Sequence, residues 1–293
     1  MTGVIMKITK AIKQLDNVYN NGQFSIQSWI PYINALFPNS SSIFLDDIND
    51  YDFKNQCLPI LNNVFLNKDK MSNICHLFDE ITQNLELKLM HYFNKTFDVD
   101  IVLYLGLCNG AGWVIEINGQ TKILLGIEKI IELKWDNENK MNGLIYHELG
   151  HVYQKQYGVL DRTFDSLADT FLWQLFTEGI AMYFEQLLIG DFSYYHQDDG
   201  KWLKYYDSHL GQLKKDFLID LDTMNHQNQR YFGDWILYNK HSDAGYYLGA
   251  KLIQHICKHV EFEKVILFGL DEVKYYYKAF VNQEHVAHPT IST

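Results

Sequence analysis

Arginine, proline and cysteine are scarce in this sequence, long apolar runs are missing, and each shortage excludes something. Lysine and arginine number 25 against 36 acidic residues, for a net charge of −11, which argues against nucleic acid or an anionic membrane as a main partner. Arginine occurs only at Arg162 and Arg230. Cys57, Cys75, Cys108 and Cys257 stand far apart and form no C-x-x-C pair. Reduced, buried thiols are therefore expected rather than disulfides or a cysteine metal site. No stretch approaches the roughly 18 apolar residues of a membrane helix. Met1 to Gln14 lacks the apolar core of a signal peptide, so a cytoplasmic location is expected. No proline falls between Pro59 and Pro289, which leaves a long segment open to helices.

What is present fills in the fold class. A hydrophobic content of 47% and an aromatic content of 15% exclude a disordered chain. Ser25 to Phe37 and Ser72 to Phe93 carry apolar residues at three-to-four spacing, which predicts two helices, the second capped by Ser72. Asn39 to Ser42 and the acidic Asp46 to Asp52 stretch read as loops. From Phe97 the pattern turns β-branched and aromatic, and Asn118-Gly119 between two such runs predicts a tight hairpin. A sheet of at least three strands is expected over 97–130, followed by helices over Lys140 to Tyr157, Asp165 to Leu188 and Gly245 to Val260. The class is α+β, with a mainly helical region at 1–95 and a second region at 96–293, whose helical lobe runs over 140–285.

The chemistry lies in His147-Glu148-Leu149-Gly150-His151. Positions i and i+4 of a helix lie about 40° apart, so both imidazoles share a face and Glu148 sits on its flank. Glu178 follows in Glu178-Gly179-Ile180-Ala181. Two imidazoles and one carboxylate suit one Zn²⁺ per chain and leave a fourth position for water, the composition of a catalytic rather than a structural zinc site. Glu185 lies two turns beyond Glu178, and Asp169 is roughly in phase before it; either could hold a ligating histidine by its second ring nitrogen, or be a solvated charge. Gly179, beside the ligand, is expected to let the H-E-x-x-H helix and the Glu178 helix approach closely.

A sheet, an H-E-x-x-H helix and a second helix donating glutamate resemble the gluzincin metallopeptidases. The strings His147 to His151, Glu178 to Glu185 (E-G-x-A-x-Y-F-E) and Gly245-Tyr246-Tyr247-Leu248-Gly249 (G-Y-x-x-G) are similar to those of a sparsely characterised group of bacterial predicted zinc-dependent proteases. The resemblance spans about residues 97–260. It implies a gluzincin-like arrangement in which His147, His151 and Glu178 ligate zinc and Glu148 is the general base for peptide hydrolysis. It also implies an oxyanion donor C-terminal to the ligands, matched by Tyr246 or alternatively Tyr247, with His241 next. An extended peptide or protein substrate would pair with the edge strand before the zinc helix, for which Ile123, Leu124, Leu125 and Gly126 are the best match.

Two departures narrow the resemblance. The position four after Glu178, an aspartate in thermolysin-like enzymes, is Met182. Of the aminopeptidase G-A-M-E-N strand, Gly110-Ala111-Gly112-Trp113-Val114 keeps only the first two residues, so an amine-anchoring glutamate is not expected; Glu116 reads as a solvated hairpin carboxylate. Two other classes fit the string: an intracellular regulatory peptidase that cleaves one protein partner, and a non-catalytic zinc-binding interaction protein. The intact Glu148 speaks against the latter, because ligation alone needs no base.

Overall fold

β-Branched and apolar residues at Asp100–Tyr104 and Gln120–Gly126 form the interior of a mixed four-stranded sheet in the computed structural model, which describes residues 6–48, 52–233 and 236–282. The strands are β1 (Lys7–Lys10), β2 (Tyr19–Asn20), β3 (Gln23–Phe24), β4 (Asp100–Tyr104), β5 (Gly112–Ile117) and β6 (Gln120–Gly126). The large sheet runs β1-β4-β6-β5, while β2 and β3 pair separately. β4 is parallel to both β1 and β6, with Asp100 opposite Lys7 on one side and Lys122 on the other. That charge is answered inside the sheet, where Lys122 Nζ lies 2.7 Å from Asp100 Oδ2 and both side chains are buried.

β5 returns antiparallel to β6, with Gly112 opposite Leu125 and Ile117 opposite Gln120. The turn is the expected Asn118-Gly119, at φ of 53° and 74°, the left-handed pair that a two-residue hairpin of matching twist requires. The order corrects one expectation. Ile123 to Gly126 belong to β6, which is buried between β4 and β5 and hence is no edge. The edge beside the hairpin is β5. Its half-buried residues, against the fully buried run of β6, are the mark of that position.

The helices are α1 (Ile26–Leu36), α2 (Ser41–Asp47), α3 (Leu58–Leu66), α4 (Lys68–Thr82), α5 (Leu85–Phe93), α6 (Ile127–Glu132) and α7 (Glu138–Tyr157). After them come α8 (Leu167–Ile189), α9 (Trp202–Asp220), α10 (Ala244–Ile256), α11 (Phe262–Val265) and α12 (Leu270–Asn282). The single helix expected from Ser72 to Phe93 is two. α4 starts at Lys68, placing Ser72 inside it, and stops where Thr82 Oγ1 donates back to the Phe78 carbonyl (2.7 Å), a side-chain bond that competes with helix continuation. Ser41 and Ser42, expected in a loop, begin α2. Residues 1–5, 49–51 and 283–285, on which the expectations for the N-terminus, the acidic loop and the end of the helical lobe partly fall, lie outside the described residues.

Two compact units divide at Glu148/Leu149, and α7 is continuous across the division. The expected boundary at 95/96 falls inside the first unit because β1 is a strand of the same sheet as β4. In the second unit α8 is the central helix. Most of its side chains from Phe171 to Leu188 are buried, all round the axis, as a helix with neighbours on every side should be. The cysteines carry free thiols, Cys57 buried and the other three half-buried. Among the described residues no helix is long and apolar enough to cross a membrane.

Candidate metal centre

α7 is set by an N-terminal cap and an unbroken interior. Asn137 Oδ1 accepts the Lys140 amide (3.1 Å), satisfying one of the first-turn N–H groups, and no proline interrupts the helix as far as Tyr157. Met141, Leu144, Ile145, Leu149 and Val152 are buried. His147 and Glu148 are buried as well, and His151 is half-buried.

α8 is capped by Ser166, whose hydroxyl accepts the Asp169 amide. It carries the half-buried Glu178, with Oε2 3.4 Å from His151 Nε2. His147, His151 and Glu178 each offer one ligand atom, and the three atoms lie within 4.8 Å of one another. Atoms bound to one zinc at 2.0–2.2 Å stand roughly 3–4 Å apart, so small side-chain adjustments suffice, and the donor chemistry is that of zinc.

Two glycines govern the helix approaches. A Cβ at Gly150, inside H-E-x-x-H, would stand 2.7 Å from the Ala181 Cα, so α7 and α8 meet backbone to backbone one turn from the ligands. Gly179 fits a different neighbour. Its Cβ would stand 2.5 Å from the Gly249 oxygen of α10, and one at Gly249 would stand 2.9 Å from the Gly179 Cα. The close approach expected of Gly179 therefore explains the last glycine of G-Y-x-x-G.

A second buried group adjoins the first. Glu185, fully buried on α8, holds His196 by three contacts: Nδ1 lies 2.9 and 3.0 Å from its two oxygens, and the His196 amide donates at 3.3 Å. Ligand atoms of His147, Glu185 and His196 also lie within 4.8 Å of one another. His196 has no motif spacing and falls in the α8–α9 connection, so only its neighbours Tyr194-Tyr195, an aromatic pair in a polar stretch, hinted at a buried turn. Asp169, the other acid considered, pairs with Lys274 of α12 at 2.6 Å.

Of the two tyrosines at the start of α10, Tyr246 is half-buried, its ring 6.1 Å from that of Phe232. Tyr247 is fully buried beside Tyr195, Trp202 and Tyr206, and its hydroxyl donates to Asp207 Oδ1 at 2.7 Å. Burial, then the Asp207 carboxylate, pushes the Tyr247 phenol far up. That proton is committed to Asp207. His241 stacks on Tyr205 with ring centres 4.0 Å apart. Glu116 is exposed on β5, as expected.

The first unit supplies one feature that the sequence did not disclose. A Cβ at Gly112, the first residue of β5, would stand 2.6 Å from Glu148 Oε1 and 2.9 Å from its Cγ. The carboxylate thus lies against the start of the edge strand, at Gly110-Ala111-Gly112-Trp113.

Three donors on a helix pair form a group that could hold a metal ion. The family model described as predicted Zn-dependent protease (DUF2268) matches residues 78–273. That is more than half of the chain, and the chain belongs to this family. No curated protein and no solved structure matches it.

Proposed function

We propose that the chain is a zinc peptidase that hydrolyses peptide bonds, with His147, His151 and Glu178 as ligands of one zinc and Glu148 as general base. The observation that carries this reading is the convergence of the three donor atoms within 4.8 Å, in a family described as predicted Zn-dependent protease. When bound, zinc supplies Lewis acidity, which brings the pKa of water toward about 7 and polarises a carbonyl. Glu148, not one of the three donors, takes a proton from the attacking water and returns it to the leaving amine. An extended peptide would add to the sheet at β5, whose first residue lies against Glu148. Such pairing through the backbone gives affinity with little sequence preference. The Tyr246 hydroxyl would donate to the oxyanion as charge develops on it.

Metal analysis of the purified protein tests the reading. About one zinc per chain is expected, with loss of that zinc in His147→Ala, alongside hydrolysis of denatured proteins or peptides by the native chain only. A zinc-free protein, or a His147→Ala variant that keeps its full zinc, would reject it.

Glu185 fits a supporting role in the same reading. A ligating imidazole holds its orientation by donating its other N–H to a carboxylate, and Glu185 is the buried carboxylate grouped with His147. His196 holds that carboxylate through its Nδ1 and its amide. Glu185→Gln is therefore expected to weaken zinc binding by about 10–100-fold in a chelator competition, with the circular dichroism spectrum unchanged. Unaltered zinc affinity in that variant would leave Glu185 a packing residue.

A further inference from the structure

Glu128 is a carboxylate that neither the ligand set nor the proposed chemistry uses, yet it is almost completely buried. It stands in the first turn of α6 and reaches into the turn between β4 and β5. Its Oε2 accepts the Gly106 amide at 2.8 Å, and its Oε1 accepts the Cys108 amide at 3.1 Å. The backbone is built around it. A Cβ at Gly106 would collide with Glu128 Oε1, and one at Gly126 would meet both that oxygen (3.0 Å) and the Gly110 carbonyl (2.7 Å). The Gly126 amide in turn donates to the Ala111 carbonyl at 3.0 Å. Cys108 holds a φ of 67°, a left-handed conformation that a residue bearing a Cβ keeps only where its surroundings impose it.

This turn ends at Gly112, and Gly112 lies against Glu148. We propose that Glu128 is a positioning residue of the peptidase site. By gripping the amides of Gly106 and Cys108 it fixes the turn that sets the start of edge strand β5 beside the Glu148 carboxylate. The inference rests on the peptidase reading for its consequence and on the hydrogen bonds for its mechanism. α7 and α8 carry the metal donors without help from the turn. Slackening the turn therefore leaves the donors in place and disturbs the backbone edge on which an extended substrate would lie. Substrate binding should suffer more than turnover.

Glu128→Gln tests this in the full-length, zinc-loaded protein. The amide keeps the shape but turns an N–H₂ toward one of two N–H donors, so one stays unsatisfied in a dry site. Amide exchange in residues 106–112 is expected to quicken by about 10-fold or more, while that of α7 and α8 and the zinc content stay at wild-type level. In peptide hydrolysis KM should rise by about 10-fold with kcat within about threefold. Unchanged exchange over 106–112, acceleration spread evenly through the first unit, or a fall in kcat at constant KM would overturn the proposal. If Glu128→Gln does not fold, Glu128→Asp, which keeps the charge but falls short of the two amides, is read by the same exchange experiment. A wild-type protein with no hydrolysis would reject the peptidase reading, and the exchange result would still decide the clamp.

Discussion

Glu148→Gln is expected to reduce peptide hydrolysis by at least about 10²–10⁴-fold while zinc content and melting temperature stay near wild type. Glutamine has the shape of glutamate, so the contact that this buried side chain makes with Gly112 survives the exchange. What is lost is basicity, because the amide cannot take the proton from the attacking water. The metal donors His147, His151 and Glu178 are untouched, which is why metal content is the proper control. A variant that keeps zinc and loses turnover assigns the proton transfer to Glu148. Full turnover in the same variant would mean another base, or contaminating activity in place of the chain's own. Loss of zinc together with activity would show that Glu148 contributes to holding the metal, against the three-donor assignment.

The legible parts of the site were those fixed by helical geometry. His147 and His151 share a face because they are four apart, and a long apolar segment around Glu178 could only be a buried helix. The hairpin was legible as well, because Asn118-Gly119 supplies two left-handed positions in sequence. What escaped depends on pairing between distant segments. β1 joins β4 across about ninety residues, and nothing local in Lys7–Lys10 names its partner. β6 and β5 are both apolar, and only the strand order tells the interior one from the edge. Gly179 signalled a close approach, but the neighbour is α10 and not the expected α7, a difference that lay in the packing. Glu185 read either as a support for a ligating histidine or as a solvated charge, and nothing local singles out Glu128. Their burial is set by loops at 190–201 and 105–111, whose shapes come from hydrogen bonds that no periodicity records.

The stability of the protein should fall as pH rises from about 4.5 to 8, and Glu128→Gln should remove much of that slope. Burial, only partly offset by the amides of Gly106 and Cys108 and by Lys129, pushes the Glu128 carboxyl up to about 7 from an ordinary 4.5. Between those values the folded chain holds a proton that the unfolded chain has released. The stabilisation is thus complete below about pH 4.5 and is lost as pH rises through about 7. At 1.36 kcal/mol per pKa unit the loss amounts to roughly 3 kcal/mol, about a hundredfold in the folding equilibrium. The phenols and thiols that face Glu128 do not titrate in this window. Burial first, and the Glu128 charge after it, push the phenols of Tyr19 and Tyr32 and the thiols of Cys57 and Cys108 upward. Carboxylates and histidines elsewhere contribute equally to both proteins and cancel in the comparison. The measurement is urea unfolding of wild type and Glu128→Gln at intervals from pH 4.5 to 8. The wild type should lose stability relative to the variant by about 3 kcal/mol across the range, with most of the change below pH 7. A constant difference between the two would mean that Glu128 is already ionised at its ordinary pKa, and that the two amides and Lys129 fully compensate its burial.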